Sequence, residues 1–147
     1  MTIETFFIFI LGLIFLIYFS YQDLKHSEIE NKPILALLIL GVILSIWTNN
    51  ILTLIPFCLF WFILSYTLWT FNSLGGADVK LLTILPLFYL PISPNWVSGQ
   101  FIFIMIFGIT GVLYGLLAKL LKTKKEIPFI PIITLTYIIN YIFWIVW

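Results

Sequence analysis

The chain contains only two aspartates, Asp23 and Asp78, and each stands where an apolar run meets a polar stretch. Asp23 closes the first run in Tyr21-Gln22-Asp23-Leu24-Lys25, and Asp78 opens the fourth after Leu74-Gly75-Gly76-Ala77. A carboxylate at the end of a helix meets the negative pole of the macrodipole, so Asp23 is poorly explained as a stabiliser of its own segment. Asp78 has a plainer alternative, an N-cap worth about 1 kcal/mol. Two carboxylates at one depth can be brought together if the first and fourth segments pack side by side. Such a pair resists double ionisation, because like charges close together in a low dielectric raise one pKa and leave the pair sharing a proton. The ionised member can deprotonate a water that attacks a peptide carbonyl while the protonated member donates to the carbonyl oxygen. This hydrolysis needs no metal, cofactor or covalent nucleophile, and none is expected. Gly75 and Gly76 would let the backbone beside Asp78 adopt conformations closed to other residues, or would simply form a flexible turn.

Other chemistries find fewer residues. There is no His-Glu-x-x-His pair, His26 is the one histidine, and no Gly-x-Ser-x-Gly elbow is present. The single cysteine, Cys58, excludes an internal disulfide and reads as a small buried hydrophobe. With 63% apolar and 9% charged residues and a mean hydropathy of +1.18, the chain lacks the charge to cover a water-facing surface. A net charge of +1 with no arginine carries no nucleic-acid signature. The lipid bilayer is the expected surrounding.

The elements that must position the aspartates are apolar segments at about 3–22, 34–48, 51–71, 79–92, 96–118 and 127–147. Three are long enough for a hydrocarbon core of about 30 Å; the second and fourth, as helices, would reach only about 22 Å and should extend into their loops. The lysines decide whether those two cross. Lys25 and Lys32 lie between the first and second segments, Lys80 starts the fourth, and Lys119, Lys122, Lys124 and Lys125 lie between the fifth and sixth. If all six cross, every lysine falls on one side, the cytoplasmic one. The expectation is therefore an all-α membrane protein: one domain over 1–147, six transmembrane helices, both termini extracytoplasmic, both aspartates facing the cytoplasm. A transporter or channel, the alternative, would place ionisable groups near the midplane, and the centres of these segments carry none.

Three subsidiary expectations follow. Pro56, Pro86 and Pro131 should each free a backbone carbonyl and bend a helix. Gly108, Gly111, Gly115 and Ala118 form a small-residue stripe suited to close packing against another helix. The phenylalanines and most tryptophans should face lipid or the interface.

At the aspartates the sequence resembles the prepilin and preflagellin peptidases, membrane aspartyl peptidases with a Gly-x-Gly-Asp motif. Gly75-Gly76-Ala77-Asp78-Val79-Lys80-Leu81 is similar to their second catalytic segment, with Ala77 at the later glycine position in a form associated with archaeal members. Asp23 through Asn31 resembles the first, with Glu30 where proline is common, and Pro128-Phe129-Ile130-Pro131 resembles a Pro-Phe-x-Pro stretch of the last helix. The resemblance implies that Asp23 and Asp78 are the catalytic pair, with Gly75, Gly76, Ala77 and Lys80 supporting the active-site loop. It implies a pilin-like or archaellin precursor as partner, cut at the cytoplasmic face between a basic leader and a hydrophobic helix. Glu28 and Glu30 would attract that leader, or are simply solvated. Lys80 would anchor the helix at the headgroups or hold the pair's negative charge. The paired Cys-x-x-Cys loop of bacterial members is missing, so no methyltransferase activity is expected. The presenilin-type intramembrane proteases share the Gly-x-Gly-Asp idea but have more helices.

Overall fold

The computed structural model describes residues 3–26, 29–48, 51–71, 74–92, 95–120 and 128–146, and among these no strand occurs. The helices are α1 (Ile3–His26), α2 (Asn31–Trp47), α3 (Ile51–Thr70), α4 (Gly76–Ile84), α5 (Pro86–Tyr89), α6 (Trp96–Leu120) and α7 (Ile130–Val146), with a 3-10 turn over Leu90–Ile92 after α5. Helices α1, α3 and α6 are long and apolar enough to cross a membrane, and α2 and α7 are shorter apolar helices. The chain is a multi-pass, all-helical membrane protein.

The two short segments do extend. Helix α2 has 17 residues, or about 26 Å of rise. The fourth path starts at Gly76, ahead of its apolar run, and continues through Leu85 at φ −56°, ψ −35° into α5 and the 3-10 turn. Pro86 breaks this path because its nitrogen has no hydrogen to donate backward. Pro56 lies within α3. Pro131 differs from expectation: it falls in the first turn of α7, where helical N–H groups have no intrahelical partner, so it frees no carbonyl there.

Helices α1 and α7 pack along a seam of paired positions. Ser20 and Thr134 hydroxyls lie 2.7 Å apart, Thr134 donates to the Leu16 carbonyl at 3.2 Å, and Phe9 stacks on Tyr137 and Tyr141. The Tyr137 side chain seats against the backbone of Gly12, where an added Cβ would stand 2.6 Å from its hydroxyl. Gly41 of α2 receives side chains of α5 in the same way, with Leu87 and Phe88 atoms 2.9 Å from a Cβ there. The expected packing stripe on α6 is not used this way: a Cβ on Gly108 or Gly111 would meet nothing within 4 Å. The side chains at Gly115 and Ala118 lie outside the described set.

Several aromatics also depart from expectation. Trp61, Phe19, Phe88, Phe103 and Tyr89 are core residues, at most 2% exposed. Trp61 of α3 donates its indole N–H to the Tyr89 hydroxyl at 2.9 Å and to Gln100 Oε1 at 3.3 Å, while the Tyr89 hydroxyl bonds the same Gln100 oxygen. The apolar environment explains the arrangement, since a polar tip away from water needs an internal partner. Cys58 is half-buried and packs against the core.

Candidate active site

Asp23 sits three residues before the end of α1, and its side chain crosses to a different helix. Its Oδ2 accepts the Ile130 backbone N–H at 3.1 Å, and the Phe129 backbone is also directed at it. The unfavourable pole at the end of α1 is thereby offset by the favourable pole at the start of α7. The flanking prolines fit this use: Pro131 has no N–H to compete, and a proline in the first turn is preorganised for a helical start. The Pro-Phe-x-Pro stretch thus supplies the donors that hold the first aspartate.

Asp78 is the third residue of α4, with Gly75 at the N-cap, so the plainer alternative of an N-cap aspartate does not hold. Its Oδ2 reaches back to accept the Gly75 N–H at 2.9 Å. Glycine has no side chain to answer, so only the returning half of a capping box is made. Gly75 is extended, at φ −78° and ψ 158°, a conformation open to any residue. The need is spatial: a Cβ at Gly75 would stand 3.2 Å from Asp78 Oδ2. At Gly76 a Cβ would meet nothing within 4 Å, and the backbone is exposed. Ala77 is half-buried against the core.

Asp78 is 8% exposed. Burial, aided by the charge of Asp23 and opposed by the Gly75 hydrogen bond, pushes its carboxyl up to about 6. The two carboxylates therefore act on each other electrostatically, although no hydrogen bond joins them among the described residues. Their helices have other principal neighbours: α1 packs on α7 and, along the fourth path, on α5 and its 3-10 turn, while α4 packs mainly on α3. The side-by-side pairing of first and fourth segments is realised at the far part of that path rather than at the aspartates.

The remaining candidates are more peripheral. Lys80 is exposed and donates to Asn31 Oδ1 at 2.6 Å, tying α4 to the start of α2. Glu30 is exposed at the N-cap of α2 without a side-chain cap bond. Glu28 lies outside the described residues. Among the described residues no group of His, Cys, Asp and Glu is placed to hold a metal ion. Sequence reasoning missed the Phe129 and Ile130 amides because backbone donors leave no residue-type signal; the two prolines around them were the only trace.

No curated protein and no solved structure gives a match to this chain. A family model does, over residues 10–118, which takes in both aspartates and ends within α6. Both aspartates, with α4 and most of α1, thus lie within the matched region, and the chain belongs to the type IV leader peptidase family.

Proposed function

We propose that this peptidase of pilin-like precursors is of the aspartic type, with Asp23 and Asp78 as its catalytic pair. The observation that carries the reading is that the chain's only two aspartates, each at a helix terminus, both lie within the region matched by the leader peptidase family, and the charge of Asp23 contributes to the raised carboxyl of Asp78. Burial raises the Asp23 carboxyl too, but two amides at the start of α7 oppose that rise and favour its charged form, so Asp23 is the ionised member. Asp78, the more enclosed, is the protonated member. Asp23 takes a proton from water as the water oxygen adds to the scissile carbonyl carbon, and Asp78 gives its proton to the carbonyl oxygen. Collapse of the tetrahedral species breaks the C–N bond as Asp23 gives its proton to the leaving amine and Asp78 takes back a proton from a hydroxyl of the intermediate, which releases the carboxylic acid and restores the starting pair. The exposed Gly76 backbone offers an extended substrate strand a close approach.

The substrate has a short basic leader followed by a hydrophobic helix, and archaellin precursors belong to the same class. The lysine pattern supports cleavage at the cytoplasmic face of the cell membrane, with six crossings, both termini outside and the chain acting as one domain. Methyl transfer is not expected.

Processing of a basic-leader precursor by the purified protein tests the assignment. Asp23→Asn and Asp78→Asn each remove a carboxylate at nearly constant shape, so either alone should abolish cleavage while helicity is retained. Processing by both variants at the wild-type rate would end the aspartyl reading.

A further inference from the structure

Helices α2 and α4 leave a groove between them of about 430 Å³, open on one side. Its walls are apolar, from Ile34, Leu35 and Leu38 of α2 and Ile84 of α4, whereas one end carries Asn31, Lys32 and Lys80. The volume falls in the range of small-molecule sites, about 300–1,000 Å³. The polar end is positive for two independent reasons. Lys32 and Lys80 are both exposed there, and the N-cap Glu30 makes no side-chain bond to the first turn of α2, so among the described residues no side-chain cap competes with an anion for the Asn31 and Lys32 amides. Lys80 is already fixed at this end by Asn31. Glu30, at the N-cap, places an acidic group at the same end.

We propose that this groove binds one anionic phospholipid, its phosphate on Lys32, Lys80 and the α2 amides and an acyl chain along Leu35, Leu38 and Ile84. A positive mouth joined to an apolar trough matches that amphiphile and opposes a precursor with a basic leader. The groove is also turned away from the aspartates, since Lys80 follows Asp78 by two residues and so stands about 200° around α4 from it. The ligand would brace α2 against the helix that bears Asp78. This inference is independent of the catalytic assignment.

The test is lipid retention by the full-length protein, purified from nanodiscs of phosphatidylcholine mixed with phosphatidylglycerol and read by native mass spectrometry. Wild type should keep one phosphatidylglycerol in preference to phosphatidylcholine. Lys32→Ala should lower that retention about fivefold, the usual worth of one lysine at an anionic surface. Leu38→Trp, which fills the trough from an exposed position, should do at least as much, and Lys25→Ala on α1 should leave retention unchanged. Equal retention of both lipids, undiminished binding by Leu38→Trp, or the same loss from Lys25→Ala would overturn the site. Displacement of the lipid by a precursor peptide would assign the groove to substrate instead.

Discussion

Burial sets the proton affinity of Asp78 before any substrate arrives. Enclosure lifts its carboxyl from 3.8 to about 6, so the proton is held below that pH and released above it. A group that must donate a proton loses function as it ionises, so kcat/KM, which reports the free enzyme, should fall on the alkaline side with a midpoint near 6. Removing the neighbouring charge moves the same group the other way: in Asp23→Asn the Asp78 carboxyl should titrate lower, read by isotope-edited infrared spectroscopy. A profile flat through this range would exclude Asp78 as the acid. Gly75 tests geometry rather than charge. Sequence reasoning assigned it conformational freedom, but its φ is ordinary and what it supplies is room for the Asp78 carboxylate, which the sequence cannot express because the space is defined by a folded neighbour. Gly75→Ala should therefore lower kcat roughly tenfold or more with KM little changed, while Gly76→Ala stays near wild type. Equal losses at the two glycines would point to a flexible turn instead.

At the scale of elements, the start of α7 acts on a residue 107 positions away. That Asp23 was misplaced for its own helix was legible from the dipole argument, but the helix that compensates it was not, because no periodicity links α1 to α7 in sequence. The seam through Ser20, Thr134, Gly12 and Tyr137 makes that pairing, and Asp23 lies at its end. Ile130→Pro isolates this amide's contribution, since proline at the first helical position keeps the helix but removes the Ile130 N–H, leaving the Phe129 backbone as the other donor to Asp23. A hydrogen bond to a charged group is worth roughly 1.5–3 kcal/mol, so kcat/KM should drop by about ten- to a hundredfold. Ile130→Leu keeps the N–H with a similar volume and should retain most activity. If the two variants lose activity equally, side-chain packing at this buried position is responsible and the amide is not.

For the whole molecule, composition and hydropathy made the membrane class and the helix count readable, because a bilayer constrains length and polarity so strongly. The lysines imply a topology that would put both aspartates on one side. Interhelical contacts were less legible: the small-residue stripe of α6 packs on nothing at Gly108 and Gly111, whereas the close approaches occur at the isolated Gly12 and Gly41, which no stripe marked. A small residue permits contact from any side, so spacing alone does not say which neighbour arrives. The short α2 is the critical crossing, because Lys25 and Thr48 flank it and their sides fix the orientation of all that follows. With the native thiol removed by Cys58→Ala, Lys25→Cys and Thr48→Cys should react differently with a membrane-impermeant maleimide. Thr48→Cys should label in intact cells and Lys25→Cys only after permeabilisation. Labelling of both from one side would mean that α2 does not cross, and a reversed pattern would move the aspartates to the outer face. In either case a basic leader held in the cytoplasm could not reach the pair by the route that the lysines imply, and the cleavage site would have to be sought on the opposite surface or within the bilayer.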